Sequence, residues 1–227
     1  MAKPIIVFDL DGTLVDTAPD LLDSLNHTLS AGGVARTDAS GFRQFVGHGG
    51  RVMIERAYQA QRRALPVDEH DRLFAMFLEH YGANIPGQSM PYPGVIEALE
   101  RFRAADYLLA VCTNKTEEFS KRLLVELGMS GFFAAICGQD TFAHRKPDPR
   151  HLTETIRLAG GATNRAVMVG DSRTDIDTAK AAGIPVVAVD FGYTDRHVRE
   201  FEPSRVISHF DELTVGLAER LIAAAAA

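Results

Sequence analysis

The stretch VFDLDGTLVD, residues 7–16, sets Asp9 and Asp11 one residue apart at the end of a short apolar run, with Gly12 and Thr13 directly behind. Two like charges about 4 Å apart repel by roughly 4 kcal/mol at an effective dielectric near 20. A fold that keeps both acids needs a cation or a proton to offset that. A lone Asp before Gly at a strand end is ordinarily a turn residue, but the whole string is far more specific. A second acidic group follows in GDSRTDI, with Asp171 and Asp175 on either side of Ser172. Between the two lie Thr113, Asn114 and Lys115 in VCTNK and Lys146 in HRKPDP. Carboxylates without clustered His or Cys are the hard donor set suited to Mg²⁺, which takes one or two carboxylates, keeps several waters and leaves room for a substrate phosphate. A divalent cation among Asp9, Asp171 and Asp175 offsets the repulsion and leaves one of the paired acids free to hold a proton.

These groups need elements to bring them together. Five runs, PIIVFD, YLLAVCTN, FFAAICG, AVMVGD and PVVAVD, are apolar on successive residues rather than alternate ones, which suits strands covered on both faces. Residues 94–105, 116–127, 149–159 and 172–182 read as the helices between them. That alternation predicts an α/β fold with a Rossmann-like parallel sheet and helices on both faces. In such sheets ligands bind beyond the carboxyl ends of the strands, where each of the groups above is expected except Lys146, which sits in a loop ahead of a helix.

Residues 16–87 break the rhythm. Thr17 is a candidate helix cap, with Pro19 in the first turn and Asp20 favoured by the helix dipole, and Leu21, Leu22, Leu25 and Leu29 then recur at helical spacing up to Gly32 and Gly33. Further helical patterns cover 39–45, 51–63 and 68–81, with no convincing strand. The reading is therefore a catalytic core of residues 1–15 and 88–227, and an all-helical cap of residues 16–87 inserted after the first strand. Pro86, Gly87, Pro91, Pro93 and Gly94 mark the return crossing.

The chain has 227 residues, 46% hydrophobic and 24% charged, and a formal charge of −6, which argues against a general nucleic-acid or anionic-membrane binder. Cys112 and Cys137 lie in apolar runs without metal-ligand spacing and read as buried, reduced thiols of a cytoplasmic protein. The apolar run at residues 5–8 is too short for a signal peptide or membrane span.

The ordered set DLDGTLVD, TN, KP and GDSxxD resembles the four motifs of the haloacid dehalogenase superfamily, and the helical insertion resembles that family's cap. The resemblance implies that Asp9 is a nucleophile forming an aspartyl phosphate and that Asp11 is the general acid and base. It also implies that Mg²⁺ is held by Asp9, the Asp11 backbone carbonyl and Asp171, with Asp175 in or near that set. Thr113 and the Asn114 backbone would hold phosphoryl oxygens, and Lys146 would neutralise developing charge. Family members that cleave carbon–halogen bonds lack an acid at the position of Asp11, so its presence points to phosphate chemistry. DLDGTLVDTAPDL, FVGHGGR and FGYT resemble most a branch of phosphatases whose small substrate also carries a carboxylate. In the cap stretch QFVGHGGRVM, His48, Gly49, Gly50 and Arg51 are the expected substrate-binding groups, with Arg43 one helical step earlier. The implied partner is a small phosphorylated metabolite, taken by a monomer or homodimer.

Other readings carry less. VGHGGR lacks the spacing of a nucleotide-binding loop. Gly170-Asp171-Ser172 is not a serine-hydrolase elbow. A sugar phosphomutase of the same fold would share the nucleophile and metal but is expected to have Arg followed by Ser-Leu in the cap. A noncatalytic binding module would need none of the acids.

Overall fold

The computed structural model describes residues 3–42, 49–194 and 196–226. Strand β1 (Lys3–Phe8) opens the chain, and a short β2 (Val15–Asp16) follows the loop that carries Asp9 and Asp11. Four helices come next, α1 (Ala18–Ala31), α2 (Ala39–Phe42), α3 (Gly50–Ala60) and α4 (Val67–Asn84), and then β3 (Met90–Pro91). Regular alternation resumes with α5 (Val95–Ala104), β4 (Leu108–Cys112), α6 (Glu117–Glu126), β5 (Ala135–Cys137) and α7 (Pro149–Leu158). It closes with β6 (Gly161–Gly170), α8 (Arg173–Ala181), β7 (Val186–Val189), β8 (Arg205–Ile207) and α9 (Val215–Ala225).

Six strands form one parallel sheet in the order β5-β4-β1-β6-β7-β8. The alternation of side chains along β1 shows why its run is continuously apolar. Ile6 and Phe8 join one buried layer with Val95, Leu99 and Phe102 of α5, while Ile5 and Val7 join another with Leu152 and Ile156 of α7 and Ile176 of α8. Both faces are dry, as expected of a parallel sheet between helices. Cys112 and Cys137 are free, buried and in register on neighbouring strands.

Phe8 pairs with Val111 on one side and with Val169 on the other. That register brings the residues following β1, β4 and β6 to the same edge of the sheet. Strand order reverses direction between β1 and β6, which is the switch point where a crevice opens in sheets of this kind.

Helices α1, α3 and α4 pack on one another through Leu21, Leu25, Leu29, Met53, Ile54, Leu73 and Phe77. Their limits differ somewhat from expectation. α3 runs Gly50–Ala60 because Arg62 adopts a positive φ of 53° that turns the chain, and α4 is longer than its apolar pattern, Val67–Asn84. α2 is seen to Phe42, and the rest of the expected helix over 39–45 lies outside the described residues. Thr17 stands at the N-cap of α1, but its backbone is helical, at φ −99° and ψ −1°, so its hydroxyl does not cap. Asp16 Oδ1 accepts from Ala18 N instead.

A short ribbon that the sequence did not show flanks this insertion. β2 and β3 pair antiparallel where the chain leaves and re-enters the sheet region. Beside them, the Asp20 carboxylate accepts from the backbone N–H groups of Gln88 (2.8 Å) and Ser89 (2.9 Å), and from the Ser89 hydroxyl. No helix among the described residues is long and apolar enough to cross a membrane.

Candidate active site

Asp9 directly follows β1 and is tied to its neighbour by Asp9 N donating to Val169 O at 2.9 Å. Asp171 directly follows β6, and Asp175 lies in the first turn of α8. All three carboxylates are buried, and one oxygen of each falls within 4.8 Å of the others. Gly12, at φ +81°, lies so close to Asp171 that a Cβ there would collide with its carboxylate, so this turn accepts only glycine without rearrangement.

Each acid is held differently. Asp171 accepts from Thr13 Oγ1 at 3.1 Å and from Tyr193 N at 2.6 Å. Asp175 completes a capping box with Ser172, whose hydroxyl donates to Asp175 Oδ2 at 2.6 Å and whose oxygen accepts from Asp175 N at 3.3 Å. GDSRTDI therefore does cap a helix, through Ser172 and Asp175, yet both of its first two motif acids, Asp171 and Asp175, are buried.

Lys146 lies among them from the loop before α7, almost fully buried. Its Nζ donates to Asp175 Oδ1 at 2.6 Å and stands 2.8 Å from Asp9 Oδ1, though at an angle that leaves this buried oxygen without a hydrogen bond. Asn114 Nδ2 donates to Lys146 O at 3.0 Å and so fixes the lysine's backbone. Thr113 is buried just after β4, where its Oγ1 accepts from Lys115 N at 3.3 Å.

One ammonium faces three carboxylates, and the imbalance shows in their proton affinities. Burial pushes Asp9 up to about 6 despite Lys146, with Asp175 and Asp11 adding to the rise. Burial pushes Asp171 well above the usual carboxylate range, and the charges of Asp175 and Asp9 raise it further. Burial alone would depress Lys146, but Asp175 and Asp9 more than reverse that. Three buried hard-oxygen donors, an oxygen of Asp9 without a hydrogen bond and a surplus of negative charge fit a divalent cation.

Asp11 is separate from this cluster. Its carboxylate accepts from Lys115 Nζ at 2.9 Å and 3.2 Å, and Lys115 in turn lies 4.3 Å from the centroid of the Tyr81 ring on α4. The described residues of the expected cap site make contacts within the helical insertion. Gly49 precedes α3 and Gly50 begins it against Phe74 and Phe77, while Arg51 Nη1 donates to Asp71 Oδ1 at 2.6 Å with its guanidinium 4.3 Å from the Phe74 ring centroid. His48 and Arg43 lie outside the described residues.

Several contributors were not given a role from sequence, namely Thr13, Tyr81 and Tyr193, and Lys115 was placed at the strand end without one. Thr13, Lys115 and Tyr193 lie within or beside the quoted motifs, whereas Tyr81 carried no local signal. A concavity of about 650 Å³ lined in part by Lys3, Asp106, Arg165 and Glu219 belongs to the opposite end of β1 and β6.

Residues 6–189 match the haloacid dehalogenase-like hydrolase family. The chain is 75% identical over 225 residues to a phosphoglycolate phosphatase of Mesorhizobium japonicum, covering 99% of both chains. It is 50% identical to a phosphoglycolate phosphatase of Agrobacterium fabrum, over 99% of this chain and 97% of the other. Among solved structures it is similar to a predicted phosphoglycolate phosphatase from Haemophilus somnus, with a TM-score of 0.86, 30% identity and coverage of 93% and 96%.

Proposed function

The chain belongs to the haloacid dehalogenase-like hydrolases, and from that we propose that it is a Mg²⁺-dependent phosphomonoesterase whose substrate is phosphoglycolate, releasing glycolate and phosphate. The observation that carries the chemistry is the Asp9 carboxylate at the end of β1, beside Lys146 and grouped with Asp171 and Asp175. The choice of substrate is supported by the names of the relatives at 75% and 50% identity over nearly the whole chain.

In this reading Asp9, Asp171 and the Asp11 backbone carbonyl hold Mg²⁺, with Asp175 beside them. The bound cation supplies charge stabilisation to the phosphoryl oxygens. Asp9 attacks phosphorus, forming an aspartyl phosphate as the phosphorus–ester oxygen bond breaks. Asp11 gives a proton to the departing glycolate oxygen and later takes one from the water that hydrolyses the acyl phosphate. Thr113 and the Asn114 backbone orient phosphoryl oxygens, and Lys146 balances their charge. Residues 16–87 act as a cap over the core of 1–15 and 88–227, excluding water from the site. The protein works in the cytoplasm as a monomer or homodimer, a compartment consistent with two unpaired buried cysteines.

The test is phosphate release from a panel of about twenty small phosphomonoesters with Mg²⁺ and with a chelator. Phosphoglycolate should give the highest kcat/KM, chelation should abolish turnover and added Mg²⁺ should restore it. A different preferred ester would overturn the substrate, and full activity in excess chelator would overturn the metal.

A further inference from the structure

The buried acids and Lys146 account for the phosphate end of the substrate, but nothing in that cluster reads its carboxylate. Of the basic groups expected in the cap to do so, Arg51 pairs with Asp71 and lies over Phe74, and His48 and Arg43 lie outside the described residues. We propose that Lys115 and Tyr81 form the carboxylate-reading subsite, an inference that rests on the phosphoglycolate reading.

Lys115 lies just past β4, one residue after the Thr113–Asn114 pair. Its side chain is only 6% exposed, and it grips both oxygens of Asp11. A buried ammonium in this loop thus already accommodates a carboxylate. Above it is Tyr81, delivered by α4, whose ring takes the cation at 4.3 Å. The Tyr81 hydroxyl is buried near Lys115 and, among the described residues, has no hydrogen-bond partner of good geometry. An unpaired buried O–H is costly, and an arriving acceptor removes that cost. The ammonium has three donor hydrogens against a single carboxylate partner. Two donors from different parts of the chain therefore stand side by side, next to Asp11, with capacity for an anion.

The span suits the substrate. In phosphoglycolate the carboxylate is separated from phosphorus only by the ester oxygen and one methylene, and Asp9 and Asp11 share one short loop. With phosphorus at Asp9, a carboxylate on so short an arm falls beside Asp11 and Lys115. Taking the substrate's carboxylate loosens the hold of Lys115 on Asp11, whose side chain is then free to turn toward the ester oxygen. Recognition of the acid end and positioning of the proton-handling group become one event. An ester without a carboxylate leaves Asp11 clamped.

The experiment compares kcat/KM for phosphoglycolate and for ethyl phosphate, which lacks the carboxylate, in wild type, Lys115→Met and Tyr81→Phe with Mg²⁺ present. Wild type should prefer phosphoglycolate strongly. Lys115→Met should reduce that preference by about tenfold to a hundredfold, as loss of a charge-assisted contact does, and Tyr81→Phe by about twofold to tenfold. In both, KM for phosphoglycolate should rise. Tyr81→Phe keeps the ring and removes only the hydroxyl, so its ratio decides the matter even if Lys115→Met does not fold. An undiminished preference in Tyr81→Phe, or in a folded Lys115→Met, overturns this subsite while the phosphoglycolate reading stands. Equal rates on both esters in wild type overturn both.

Discussion

Asp9 and Asp11 stand on either side of Leu10 and answer to different cations, Asp9 to Lys146 and Asp11 to Lys115. That separation lets one carboxylate attack while the other moves protons. Replacing Asp9 by Asn keeps the shape and removes the nucleophile, so turnover should fall by at least about a thousandfold. Because burial holds the Asp9 carboxyl up at about 6, its ionised form is disfavoured in the fold at neutral pH. The metal-free Asp9→Asn protein should therefore be as stable as wild type or up to about 3 kcal/mol more so, measured by urea unfolding at pH 7 with chelator. Rapid quenching with labelled phosphoglycolate should trap a hydroxylamine-sensitive phosphoenzyme in wild type only, and equal labelling of the variant would place the nucleophile elsewhere. Asp9, Asp171, Asp175 and Lys146 were legible from sequence because each sits in a short string with its own geometry, a strand end or a helix start. Tyr81 was not, because its neighbours Lys115 and Asp11 come from other elements and nothing in the pattern of α4 distinguishes a core aromatic from one beside a ligand site. The pairing of Arg51 was hidden for the converse reason: a basic residue beside glycines gives no sign of Asp71 on the next helix.

At the scale of elements, continuous apolar runs identified β1, β4, β5, β6 and β7, since strands dry on both faces need no polar alternation. β8 begins on the exposed Arg205 and so lacks a continuous apolar run, and the two-residue β2 and β3 are too short to show any period. Pairing across a long insertion, as in β2 with β3, leaves no local trace at all. The joint between the helical insertion and the sheet depends on this ribbon and on Asp20, which the sequence offered only as a dipole-favoured residue of a first helical turn. In the fold Asp20 closes a loop between α1 and the returning chain through three donors, from Gln88 N, Ser89 N and Ser89 Oγ. Asp20→Ala would leave those donors facing a buried gap, at a cost of about 3 kcal/mol. The midpoint of urea unfolding should fall accordingly. Asp20→Asn, which keeps acceptor capacity, should lose less, and equal small losses for both would show that the joint is held by the ribbon alone.

For the whole molecule, a net charge of −6 means that an anionic substrate is drawn in by buried lysines at one end of the sheet rather than by the general surface. The same crowding of charge makes stability depend on pH in opposing ways. Asp9, raised to about 6, favours the fold when protonated, so its contribution is present below the ordinary carboxylate range and is lost as pH rises through about 6. His151 works in the other direction. It is fully buried on α7 against Phe142, and burial followed by the repulsion of Lys146 pushes it down to about 4. The Gly138 backbone and Glu154 favour the charged ring and His144 opposes it, but burial dominates. An unfolded chain therefore binds a proton here near pH 6.5 that the fold refuses until about 4, so this residue's support is complete above about 6.5 and drains away as pH falls to 4. The shift corresponds to about 3 kcal/mol. Since the two effects overlap, the pH profile of wild type alone does not separate them, and the difference between two proteins does. His151→Leu keeps the site apolar and removes the titration while leaving Asp9 in place. Between pH 7 and pH 4.5 the variant should gain about 2 to 3 kcal/mol on wild type in urea unfolding, and a constant difference across that range would mean that His151 takes up its proton inside the fold as readily as outside it.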